Sequence, residues 1–402
     1  MSGQGAGFRT IETADVAGKR VLMRADLNVP AKDGKVTDAT RIERIVPTID
    51  SLLKRGAKVV LMSHFGRPKG QRKPEYTLKP VADKLAELLS GTKVHFVEDC
   101  IGPVAEDCVG QARNGEVVVL ENLRFYPGEE KNDAAFAQSL ARLGDIYVND
   151  AFSVSHRAHA STEAVAKLLP AYAGLSMMAE LNALTAALEA PVRPVAALVG
   201  GAKVSTKIPI LSNLAAKVQA FVIGGGMANT FLFAQGYKIG KSLCEPDFAD
   251  TAREIMAKAA ESGCEILLPT DVVVAKEFKA GAECSVHPVG EVPEDGMILD
   301  IGPASVEALK ARLRECKTLL WNGPVGAFEI APFGEGTFAL ARKAAALAKA
   351  GELVSVAGGG DTVAALNAAG VTNDFTYVST AGGAFLEWLE GRTLPGVAVL
   401  KQ

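Results

Sequence analysis

Five arginines in the first 160 residues, Arg24, Arg41, Arg67, Arg124 and Arg157, sit in short polar motifs, most of them just after an apolar run. In the second half the comparable positions hold glycine loops: Gly200-Gly201-Ala202-Lys203, Gly224-Gly225-Gly226 and Gly358-Gly359-Gly360-Asp361-Thr362. Guanidinium groups grip carboxylate and phosphate bidentately, and glycine loops let backbone N–H groups approach a phosphate. One half is thus suited to a small anion and the other to a nucleotide, which is the layout needed for phosphoryl transfer.

The anion half repeats one grammar. Strand-like runs end in Arg24-Ala25-Asp26-Leu27-Asn28-Val29-Pro30, Ser63-His64-Phe65-Gly66-Arg67-Pro68 and Glu121-Asn122-Leu123-Arg124-Phe125, and Ser155-His156-Arg157-Ala158-His159 completes the set. Arg41 stands apart, at the start of a helix-like run over 39–53. A single arginine after a strand reads as a surface ion-pair partner. Four at equivalent strand ends would repel one another unless an anion sat between them. Asp26 and Asn28 then serve as acceptors for ligand hydroxyls, whereas His64 taken alone reads as a core histidine.

In the nucleotide half, Gly200 to Lys207 follows a strand and opens a helix, but lacks the G-x-x-x-x-G-K-[ST] spacing of a P-loop. Lys203 and Lys207, four residues apart, share a face if the turn is helical and could then address one phosphate chain. The bland alternative is a strand-to-helix turn with two surface lysines. Gly224-Gly225-Gly226 is a weaker turn of the same kind. Gly358 to Thr362 adds an acid and a hydroxyl to a glycine nest opening a helix predicted at 363–367. A helix N-terminus favours phosphate, so Asp361 there either caps the helix or holds a divalent cation, Mg²⁺, against the phosphates. Trp321-Asn322-Gly323-Pro324-Val325-Gly326-Ala327-Phe328-Glu329 supplies an apolar loop ending in a carboxylate suited to ribose hydroxyls. Thr380-Ala381-Gly382-Gly383 is one more small-residue turn.

The elements that must position these motifs are short, largely unalternated apolar runs, the mark of parallel strands buried on both faces. They fall at 20–23, 58–62, 117–120, 146–148, 195–199, 221–223, 266–268, 297–299, 318–321, 353–356 and 375–378. Helix-period stretches at 78–89, 134–143, 305–316 and 336–350 lie between several of them. Strand, loop, helix, strand repeating predicts an α/β doubly wound fold, whose ligands bind at the carboxyl ends of the strands. At 402 residues two domains are expected. A helix predicted from Ala173 to Ala190, bracketed by Pro170 and by Pro191 and Pro194, reads as the connector. The expected division is 1–172, a 173–193 hinge, 194–390, and a 391–402 segment.

A net charge of -3 without a basic run argues against nucleic acid. No apolar stretch is long enough to span a membrane, and the small, polar Met1 to Gly7 has no apolar signal core. Six cysteines without a CxxC pair suggest small core or surface residues in a reducing cytosol.

Together RADLNVP (24–30), SHFGRP (63–68), ENLRF (121–125), GGAKVSTK (200–207), WNGPVGAFE (321–329) and GGGDT (358–362) resemble the phosphoglycerate kinase family, in its order and spacing, from Arg20 to the C-terminus. The resemblance implies two Rossmann-like parallel-sheet domains joined by a helical hinge, and a cytoplasmic monomer. It implies 3-phosphoglycerate or 1,3-bisphosphoglycerate bound through Asp26, Asn28, Arg41, His64, Arg67, Arg124 and Arg157. It implies MgADP or MgATP on the second half, with Lys207 on the phosphates, Gly225 and Gly226 beside the adenine, Glu329 on the ribose and Asp361 on the metal. Gly359, Gly360 and Thr362 belong to the same site, and Arg41, Lys203 and the amide at Gly358 stabilise the phosphoryl group in flight. The last nine residues are expected to pack back on the first domain. Where the family commonly has three glycines, this chain has Ala381-Gly382-Gly383. The alternative is a catalytically degenerate binding protein of the same fold, which should have lost at least one of Arg41, Lys203 and Asp361.

Overall fold

The computed structural model describes residues 7–401; the reading of the first six residues, and Gln402, lie outside them. The chain divides into two compact units, Met1–Asn182 with Thr393–Gln402, and Ala183–Arg392. The division falls inside the stretch expected as one connector. Strand Ala171–Ala173 ends where that stretch begins, and a helix Leu175–Leu184 and a π-helical turn Thr185–Glu189 follow.

The first unit carries a six-stranded, wholly parallel sheet. From edge to edge its strands are Val94–Val97, Val117–Leu120, Lys58–Met62, Arg20–Arg24, Ile146–Asn149 and Ala171–Ala173. Every residue of Lys58–Met62 and Val117–Leu120 is buried, as a sheet covered on both faces requires. The chain leaves Arg20–Arg24 toward one edge and Ile146–Asn149 toward the other, so a crevice opens at their carboxyl ends. The C-terminal segment is stitched to this unit: Asn149 Nδ2 donates to Gly396 O at 2.9 Å, Gly396 N to Ser155 O at 2.9 Å, and Phe8 bridges Lys401.

The second unit repeats the arrangement with strands Glu265–Leu267, Ala220–Gly224, Val195–Gly200, Thr318–Asn322, Val354–Gly358 and Tyr377–Ser379, again all parallel. Its switch point lies between Val195–Gly200 and Thr318–Asn322. The run at 297–299, expected as a parallel strand buried on both faces, instead lies in an antiparallel sheet and is partly exposed. A separate antiparallel sheet of Cys284–Pro288, Asp271–Ala275 and Met297–Ile301 flanks the second unit's main sheet. Each unit has its own apolar core, centred on residues such as Val59, Val119 and Val148 in one and Leu198, Leu319 and Leu340 in the other.

Candidate active site

In the first unit the polar motifs surround the crevice. Arg24 ends its strand, yet it is only 1% exposed and faces inward. Its Nε donates to Ser161 Oγ at 2.9 Å, and its Nη2 lies 3.0 Å from His64 Nδ1. A guanidinium has no acceptor, so His64 Nδ1 must accept and the ring proton resides on Nε2. Burial holds His64 well below the ordinary imidazole range, and Arg24, Arg124, Arg157 and His159 push the same way. His159 is driven down to about 4, by burial first and then by Arg124, Arg24 and Arg157. Burial is the larger cause of both shifts, and the neighbouring cations add to it. Arg24 is therefore not one of a row of exposed ligands; it is the buried support beneath His64.

Arg124 Nη1 donates to Gly66 O at 3.0 Å, while its Nε is buried without a hydrogen-bond partner, 3.7 Å from Glu130 Oε1. That separation is too long for a hydrogen bond, so the cation keeps an unused donor. Arg157 is half-buried, its Nε 3.3 Å from His156 Nε2, and Arg67 is exposed with no ion pair among the described residues. Arg41, at the second position of helix Thr40–Lys54, donates to Asp26 Oδ2 at 3.0 Å and Asn28 O at 3.2 Å. Asp26 also accepts from Ser153 Oγ at 2.5 Å, across the crevice, and Asn28 Oδ1 accepts from Gly66 N at 2.9 Å.

In the second unit Lys207 spans the switch point, its Nζ donating to Gly200 O and Asn322 Oδ1, each at 2.7 Å. Burial lowers its pKa to about 8, against the opposing pull of Asp361. Lys203 is exposed and extended (φ -135, ψ 130), and the helix Ile208–Ala215 starts only after Lys207. The two lysines therefore do not share a helical face. Gly359 is the N-cap of helix Gly360–Ala369 at φ 99, a conformation closed to most side chains. Asp361 lies in that helix's first turn without a capping bond, so the capping reading fails. The first intrahelical bond runs from Val363 N to Gly359 O at 3.0 Å, leaving the N–H groups of Gly360, Asp361 and Thr362 as helix-terminal donors. The Thr362 hydroxyl is committed internally, donating to Gly358 O at 2.8 Å and accepting from Gly323 N at 2.7 Å.

A cavity of about 510 Å³ opens beside these donors. Gly225, Gly226 and Pro324 line it, with Leu243, Phe278 and Met297 as apolar walls and Glu329 and Asp361 at its polar boundary. Gly225 N bonds Val325 O at 3.0 Å, and a Cβ at Gly225 would meet Gly201 O at 2.6 Å, so these loops close on one another only because glycine sits there. Asp300, in the same lining, accepts from Gly336 N at 2.9 Å and is raised to about 7 by burial. At the remaining turn the positive φ falls on Gly382 (φ 54), not on Ala381. Ala381 N instead donates to Ser379 Oγ at 3.2 Å. Alanine is thus tolerated there.

The family model described as Phosphoglycerate kinase matches residues 11–392. The chain belongs to the phosphoglycerate kinase family. A phosphoglycerate kinase of Mesorhizobium japonicum is 61% identical over 398 residues, covering 99% of this chain and 100% of its own. One of Ruegeria sp. is 62% identical over 395 residues, covering 98% and 100%. The solved phosphoglycerate kinase of Coxiella burnetii superposes with a TM-score of 0.91 at 42% identity, covering 98% of each chain. That of Pyrococcus horikoshii gives 0.79 at 30% identity over the same share. The two-sheet architecture is that of the family, and the activity is a glycolytic phosphotransfer with a carboxyl group as acceptor.

Several residues that line or support these candidate sites escaped the sequence reading. Asn322 joins Lys207 to Gly358 O, donating to the latter at 2.8 Å, yet a lone asparagine at a strand end carries no signal of that bridge. Ser161 and the fully buried Glu129 lie behind Arg24. Leu243, Phe278 and Met297 come from the antiparallel sheet and its neighbouring loops, which showed no motif.

Proposed function

We propose that the two units divide the substrates of the phosphoglycerate kinase reaction. The first binds 3-phosphoglycerate or 1,3-bisphosphoglycerate through Asp26, Asn28, Arg41, His64, Arg67, Arg124 and Arg157. The second binds ADP or ATP through Lys207, Gly225, Gly226, Glu329, Gly359, Gly360, Asp361 and the backbone of Thr362. The observation that carries this reading is the buried Nε of Arg124, left without a hydrogen-bond partner, in a pocket where Arg24, Arg124 and Arg157 all act on His64. Such a cluster is stable with an anion inside it.

The acceptor carboxylate is ionised at neutral pH, so no general base is required. His64 fits that demand: its Nδ1 is committed to Arg24, and it offers an Nε2–H donor instead of a proton acceptor. Catalysis then rests on positioning and on charge neutralisation. Arg41, half-buried, Lys203, exposed, and the amide at Gly358 are the groups assigned to the phosphoryl group in flight. Mg²⁺, when bound, would neutralise phosphate charge. Asp361, uncapped and at the cavity edge, suits it, since magnesium is commonly held by one or two carboxylates plus phosphates. In-line transfer needs reacting atoms within roughly 3–3.5 Å, so closure of the units during turnover belongs to the same proposal. A monomer in a reducing cytoplasm is the setting we infer, supported by six free cysteines. Among the described residues no helix is long and apolar enough to cross a membrane.

Steady-state kinetics on two variants test the division. Arg124→Ala should raise KM for 3-phosphoglycerate and spare KM for MgATP, and Glu329→Ala should do the reverse. Both constants moving together in both variants would refute the assignment.

A further inference from the structure

Behind the anion cluster lies a carboxyl group that phosphoryl transfer leaves unused. Glu129, in the short helix Pro127–Glu130, is 0% exposed. Its Oε2 accepts from Ser161 N at 3.0 Å and its Oε1 from the Ser161 hydroxyl. The same hydroxyl oxygen accepts Arg24 Nε at 2.9 Å, and Arg24 Nη2 reaches His64 Nδ1 at 3.0 Å. His159 Nδ1 stands 3.9 Å from Glu129 Oε1.

The polarity of this chain is fixed from its buried end. A serine hydroxyl has one hydrogen, and Glu129 takes it, which turns the oxygen lone pairs toward the donor-only guanidinium. Without that acceptor the hydroxyl hydrogen is free to turn against Arg24. Arg24 is itself buried and needs a counter-charge, and Glu129 is the largest favourable one acting on it. We propose that Glu129 is a positioning residue: through Ser161 and Arg24 it locks His64 as the Nε2–H tautomer, so that His64 offers a donor to the anionic substrate. The inference rests on the anion-site reading given above.

Two variants separate this role from simple charge balance. In Glu129→Gln the side-chain amide can satisfy only one of the two Ser161 donors, so the Ser161–Arg24 contact is disrupted. Ser161→Ala keeps the buried carboxyl but cuts the link. Histidine-ring ¹⁵N spectra of the full chain, with His64 assigned by its loss in His64→Gln, should show protonated Nε2 in wild type and a mixture of tautomers in both variants. KM for 3-phosphoglycerate should rise roughly tenfold in both, with KM for MgATP unchanged. An intact Nε2–H signal and unchanged KM in Ser161→Ala would overturn the proposal, because a Glu129 that only balances charge does not need the hydroxyl. If wild type fails to bind 3-phosphoglycerate in a direct titration, the anion-site reading falls, while the ¹⁵N spectra still decide whether the relay exists.

Discussion

Raising the pH should strip the nucleotide site of a charge before the protein unfolds. Lys207 donates to two neutral oxygens, Gly200 O and Asn322 Oδ1, and burial brings its pKa to about 8. A group titrating there is roughly nine-tenths protonated at pH 7 and roughly one-tenth at pH 9. If the phosphates bind only the ammonium form, apparent affinity for MgADP should fall about ninefold over that interval, or about 1.3 kcal/mol. Bound phosphates favour the charged form, so binding near pH 8 should take up about half a proton per nucleotide. The nucleotide's own phosphate ionisation, near pH 6 in phosphomonoesters, is largely complete by then and adds little. Calorimetric titration of MgADP in two buffers of different ionisation enthalpy reads both quantities, with Lys207→Met as a control expected to be weak and flat with pH. A flat wild-type affinity from pH 7 to 9 without proton uptake would show that Lys207 stays charged, and the reasoning from its burial would be refuted.

Two further substitutions probe how the second site is held. Asn322→Leu removes the acceptor of Lys207 Nζ and the donor to Gly358 O, one charge-assisted and one neutral bond, for a loss of about 2–4 kcal/mol. It should lower the thermal midpoint and weaken MgADP binding; a melting curve superimposable on wild type would contradict it. At Gly200 an added Cβ would lie 1.7 Å from Pro324 O, so Gly200→Ala must displace the loop that lines the cavity. A cost of about 1–3 kcal/mol, with weakened MgADP and unaffected 3-phosphoglycerate binding, is expected in thermal melts and titrations.

Much of this was legible because the decisive signals are local. An apolar run followed by Ser63-His64-Phe65-Gly66-Arg67, or by Gly358-Gly359-Gly360-Asp361, declares a buried strand and a polar carboxyl end within ten residues. What stayed hidden depends on distant partners. The inward turn of Arg24 is set by Ser161, 137 positions away, and the Asn322 bridge by Lys207, 115 positions away. Strand Val94–Val97, at a sheet edge and mostly half-buried, lacks the solid apolar run of the central strands. Strand Ala171–Ala173 is too short to show a period, and its last residue falls where the helical pattern is expected to begin. Cys284–Pro288 is largely exposed, so nothing in its composition marks a strand.

In the proposed mechanism this chain transfers phosphoryl groups to a carboxylate by charge neutralisation at Lys203 and Arg41, without a base. The most direct measurement is a coupled assay with 3-phosphoglycerate and MgATP on wild type and Lys203→Ala, alongside binding titrations of both ligands. Robust wild-type turnover, a fall of about 10²–10³ in kcat for the variant, and both ligands still bound are expected. Wild-type turnover that survives the substitution, or both ligands binding to wild type without turnover, would contradict it.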